Sequence, residues 1–133
     1  MTLYLKLGGR PTFQEAIETL ERRLKQDGKF SQPHGGHVLP NADELCEFLI
    51  FLFGGAPFYD GMPIDRVLRP LRLDDTRYDR FVDHVVIALT GGRPSVRNET
   101  QLRVVMEHIR PHVVNAPGNR PGLPPQDQVG IVA

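Results

Sequence analysis

One cysteine, Cys46, is all the thiol that this 133-residue sequence holds, which excludes an internal disulfide. Net charge is also missing, because 16 Lys and Arg balance 16 Asp and Glu. No overall field therefore draws the chain to nucleic acid, an anionic membrane or a polyanionic substrate. Long apolar runs are lacking too. The longest, residues 48–56, is far short of the ~20 residues that cross a bilayer, so it reads as a buried helix and no membrane insertion is expected. Residues 1–10 contain neither a long apolar core nor a small-residue cleavage site, which makes a cytoplasmic protein the expectation.

What is present fits one compact domain, with 40% hydrophobic residues and enough chain for a core. Thr12 and Glu15 have capping-box spacing, and Phe13, Ala16, Ile17, Leu20 and Leu24 follow at helical intervals, predicting a helix over residues 13–26 that stops at Asp27 and Gly28. Asn41 and Glu44 repeat the cap before Leu45, Cys46, Phe48, Leu49, Ile50, Phe51, Leu52 and Phe53, a helix apolar nearly all round and so central to the fold. Pro57, Pro63 and Pro70 leave only a short helix near Ile64, Val67, Leu68 and Leu71. Asp74 caps a helix carrying Tyr78, Phe81, Val82, Val85, Val86 and Leu89, and Asn98 with Gln101 opens another with Leu102, Val105, Met106, Ile109 and Val113. The β-branched run at residues 85–87 is the one place where a strand competes. The fold class is all-α.

Residues 1–115 form the expected domain, and residues 116–133 are a Pro/Gly-rich tail with an apolar end at Val129, Ile131, Val132 and Ala133. Such a segment has no core of its own, so Pro121, Pro124, Pro125, Val129, Ile131 and Val132 are the candidate residues for contact with a larger protein assembly.

The titratable residues give few constellations. No Ser-His-acid set or carboxylate pair stands out, and no enzyme is expected. His34 and His37 flank two glycines, with Cys46 as a third donor, but the spacing matches no closed zinc pattern, and no metal site is expected there. His108 and His112 lie four apart with Pro111 between them and read as surface histidines; Cys46 reads as a buried, inert thiol. Phe48, Phe51, Phe53 and Phe58 read as core aromatics or as the lining of an apolar pocket.

The segments LYLKLGG (residues 3–9), FLIFLFGG (48–55) with PFYDG (57–61), LRLDDTRY (71–78) with Phe81, His84 and Leu89, and residues 99–114 with Ile109, Arg110 and Pro111 resemble, in order and spacing, the truncated haemoglobins. The resemblance implies a two-over-two helical sandwich around haem. It also implies a proximal histidine in an Ala-His-x-x-Leu-x-Ile pattern, whose place is taken here by VLRPLRL (residues 67–73). Leu68 then stands at the ligand position, and no histidine occurs anywhere in residues 38–83.

Thr19 and Leu20 fall where the family usually has an aromatic pair whose tyrosine bonds oxygen, and Glu44, Leu45 and Cys46 replace its polar distal set. Phe30 and His34 are the nearest substitutes for the aromatic that wedges the haem, and His84 matches a structural histidine of the family. The degenerate pocket positions are thus Leu20, Leu45, Phe48 and Leu68. From these the expectation is a globin-fold chain without cofactor, serving as an interaction or structural subunit. The alternative is a haem protein binding O2 or NO through a displaced ligand, with Cys46, Met62, Tyr59 and His34 as the donors; a sensor for another apolar ligand is a third reading.

Overall fold

The computed structural model describes residues 2–30, 39–93 and 95–114, and within them the regular structure is helical throughout. The main helices are α1 (Leu3–Leu7), α2 (Arg10–Gln26), α3 (Ala42–Leu52), α4 (Ile64–Val67), α5 (Asp75–Thr90) and α6 (Val96–Val114), with short 3-10 turns at Gly28–Phe30 and Arg69–Leu71. Residues 115–133, and with them the candidate partner residues of the tail, lie outside the described residues.

Local chemistry sets most helix ends. The Asn41 side chain accepts the Glu44 N–H at 3.0 Å, and the Asp74 carboxylate accepts the Arg77 N–H at 2.7 Å, so each satisfies an amide that the first helical turn leaves free. Gly91 ends α5 at φ 64°, a left-handed conformation open to glycine at no steric cost.

Three starts differ from expectation. α1 was not anticipated; Thr2 Oγ1 accepts the Leu5 N–H at 3.2 Å and Gly8 closes it at φ 119°. α2 begins at Arg10 rather than at Phe13 because Gly9, at φ 73°, turns the chain directly into it and Pro11 occupies a first-turn position that needs no N–H donor. Thr12 is therefore inside the helix. α6 begins at Val96 instead of after Asn98, with the Glu99 N–H donating to the Ser95 carbonyl at 2.9 Å. Residues 85–87 are helical, because Tyr78, Phe81, Val82, Val85, Val86 and Leu89 together bury one face of α5.

α2 packs on α3 and on α5, and α5 packs on α6. The result is two helices over two, with a single apolar core between the layers. Buried Tyr78 ties the α5–α6 pair by donating its hydroxyl to the Met106 carbonyl at 2.5 Å, while Arg110 lies 4.7 Å over the Tyr78 ring and pairs with Asp75, Asp79 and Glu107. Burial pushes the Tyr78 phenol up from its ordinary value, so it stays a protonated donor.

Candidate functional site

Leu20 from α2, Leu45, Cys46 and Phe48 from α3, and Leu68 at the end of α4 belong to one buried cluster. Leu68 is 1% exposed and Leu20 2%, so the two positions that the resemblance assigns to the faces of a haem are interior and wholly hydrocarbon. Leu68 is held by its N–H donating to the Ile64 carbonyl at 3.0 Å, and Pro70 turns the chain away just beyond it. The side chain offers no lone pair. An iron bond of the family's usual kind therefore has no donor on α4.

The displaced-ligand candidates separate clearly. His34 lies outside the described residues, as does His37. Met62 is 41% exposed; its N–H donates to Glu44 Oε2 at 3.3 Å and its carbonyl accepts the Tyr59 hydroxyl, which fastens the loop to the outer edge of α3. Tyr59 is partly buried with its ring 5.4 Å from Phe48 and 5.6 Å from Phe51, and its hydroxyl is spent on Met62. Among the described candidates, Cys46 alone is a buried donor in the core. Burial pushes its thiol up, reinforced by the carboxylates of Glu47 and Asp43 and opposed by Arg10, so at neutral pH it is a protonated, unreactive sulfur.

Phe58 departs from its expected place in the core. It is 85% exposed, because it sits between Pro57 and Tyr59 in a loop, with no helix to turn it inward. Phe53 and Phe48 are buried as expected. Among the described residues no group of three or more His, Cys, Asp or Glu side chains is placed to hold a metal ion. The Nδ1 of His108 bonds the Val104 carbonyl at 2.9 Å.

A polar cluster that residue patterns did not disclose lies at the α2–α5 junction. Asp27, 7% exposed, is the one buried charged residue described. Arg80 donates Nε to Oδ2 at 2.9 Å and Nη2 to Oδ1 at 2.7 Å, His84 Nε2 meets Oδ2 at 2.7 Å, and the Lys29 N–H donates to Oδ1 at 3.0 Å. Arg23 Nε donates to His84 Nδ1 at 3.1 Å. Since Nδ1 accepts there, the imidazole proton belongs on Nε2, directed at Asp27. The Arg80 guanidinium, with help from His84 and the Lys29 amide and against the cost of burial, holds the Asp27 carboxyl well below the usual carboxylate range. His84 had been read as structural, but Asp27 only as a helix stop; partners 53 and 57 residues apart leave no local spacing to detect.

Residues 2–115 match the family of bacterial-like globins. The group 1 truncated hemoglobin GlbN of Nostoc commune is 28% identical over 97 residues, covering 72% of this chain and 78% of that protein; that of Nostoc sp. (strain MUN 8820) is 27% identical over 85 residues, covering 63% and 72%. Among solved structures, the 2/2 hemoglobin from Synechococcus sp. PCC 7002, in the cyanomet state with covalently attached heme, superposes with a TM-score of 0.67 at 19% identity, over 86% of this chain and 99% of that one. A truncated hemoglobin mutant from Tetrahymena pyriformis in the Fe(III) form gives 0.66 at 20% identity, over 83% and 95%.

These likenesses overturn the expectation of a chain without cofactor: the relatives are truncated hemoglobins, and the group they point to is haem. The physical reason is that a bound cofactor is held by apolar burial across its surface as well as by specific polar or metal bonds, so a leucine at position 68 is not by itself ground to exclude the group. By the match over residues 2–115, the chain belongs to the bacterial-like globins.

Proposed function

We propose that this chain is a cytoplasmic haem protein that binds O2 or NO, as a carrier or trap rather than a classical enzyme, with its iron held by a donor other than a proximal histidine. The observation that supports it is family membership over residues 2–115, joined to a core that fits the group in one respect and not in another. The apolar character fits: Leu20, Leu45, Phe48 and Leu68, which the resemblance assigns to the pocket, are all buried hydrocarbon in one core cluster. The proximal position does not fit, because Leu68 has no donor atom. When bound, the haem supplies an iron centre that takes a diatomic ligand.

What the chain itself contributes is exclusion of water by these side chains and one buried sulfur, Cys46. Cys46 would hold the group only as the thiolate, so its proton would have to leave against the burial that now holds it on. The full-length protein titrated with haemin should develop a Soret band saturating at one equivalent; absence of uptake would sink the reading. Cys46→Ser and Cys46→Ala should each weaken uptake and shift the ferric spectrum. An unchanged spectrum in both variants would remove Cys46 from the role while leaving haem binding in place.

A further inference from the structure

The core face of α6 is carried by Leu102, Met106 and Val113, each buried. A second stripe runs along the opposite side, through Val96, Thr100, Val104 and Pro111, at spacings that keep these residues on one outward face. Val96 is 82% exposed and Val104 51%, and Thr100, Arg103, Val104, Glu107 and His108 line a shallow surface depression there. The charged groups on its margins are already engaged: Arg103 with Asp83 and Glu99, Glu107 with Arg110. Apolar surface therefore remains between them. Val96 and Val104 are thus apolar side chains on an otherwise polar outward face, and no described residue covers them.

We infer that the apolar end of this same chain, Val129, Ile131 and Val132, docks on the outward stripe of α6 around Val104. The tail leaves from the end of α6, and the stretch from Val104 to Val114 is about 15 Å of helix at ~1.5 Å per residue. Residues 115–128, with Pro117, Pro121, Pro124 and Pro125, reach roughly 43 Å even if held in polyproline II at ~3.1 Å per residue, so the connection closes with chain to spare. Val129 and Ile131 alternate with Gly130, which in extended backbone gives the two side chains one face. A tether raises the local concentration of the tail to the millimolar range for short flexible connections, so a contact too weak for a free peptide still forms. A second copy of the chain suits the stripe less well: a strip one side chain wide falls far below the ~800 Å² per partner that a standard interface buries.

The test places a photoreactive benzoylphenylalanine at position 104 of the full-length chain, a half-exposed site that tolerates it. Irradiation and peptide mass spectrometry should recover an intramolecular crosslink to residues 129–133 in the monomer, and Ile131→Asp in the same chain should lower its yield by about tenfold or more, since a charge is costly to bury. A crosslink that joins two copies, one that falls on other residues, or no crosslink would each overturn the assignment.

Discussion

Replacing Asp27 by Asn keeps the side-chain volume and removes the charge that Arg80, His84 and the Lys29 amide share. A charged hydrogen bond contributes about 1.5–3 kcal/mol, so Asp27→Asn should lower urea-measured stability by about that amount at pH 7. The pH dependence has a definite sign. The folded carboxyl sits below its unfolded value, so its contribution is complete above the unfolded value, near 4, and is lost as the pH falls further. The wild type should thus lose stability below about pH 4 more steeply than Asp27→Asn does. At Leu68, histidine restores the donor the family uses: Leu68→His should tighten haemin uptake in a Soret titration, and in the cofactor-free protein should cost about 1–3 kcal/mol for burying an imidazole without a partner. If uptake does not tighten, α4 does not stand beside the iron. Leu68 and Cys46 were legible as buried residues because both lie in apolar stretches of the sequence, and both are buried in the core. Asp27 was not, because its meaning lies in residues that only folding brings beside it.

At the scale of the element, α1 is held to the end of α3 by contacts with almost no tolerance. Tyr4 N–H donates to the Phe53 carbonyl at 2.9 Å, the Tyr4 ring lies 5.3 Å from that of Phe13, and a methyl group on Gly55 would sit 2.6 Å from Tyr4 Cδ1 and 2.7 Å from Ile50 Cγ2. Gly55→Ala should therefore destabilise by about 1–3 kcal/mol, the usual cost of overpacking, and thermal melts should show it. Asp74→Ala, which removes the α5 cap, should cost about 1 kcal/mol. The Asn41 and Asp74 caps could be read directly, since donor and acceptor lie within one turn of chain. α1 and the start of α2 could not, because they depend on positive-φ geometry at Gly8 and Gly9, and a glycine pair reads equally well as a stop or as an entry. The apolar residues at 85–87 were ambiguous in isolation; burial of a whole helical face decides them.

For the molecule as a whole, the all-α class was legible in the apolar helical faces, while the two-over-two arrangement was legible only through the resemblance of the ordered segments to the truncated haemoglobins. The expectation of a chain without cofactor rested on Leu68 at the iron-bonding position and on the altered distal positions Leu20, Leu45 and Cys46, and the haemoglobin relatives overturn it. The Asp27 cluster also bears on how the chain reaches that arrangement. Its bonds join residues 53 and 57 apart in sequence, so they close only after a long loop has been ordered, whereas the α5–α6 pair, joined by Tyr78 to Met106 across 28 residues, assembles from nearer chain. Contacts formed after the barrier leave the folding rate alone and appear in the unfolding rate. Stopped-flow measurement of Asp27→Asn should accordingly show the unfolding arm raised and the folding arm nearly unmoved, which makes this buried carboxylate a determinant of how long the native globin persists once formed.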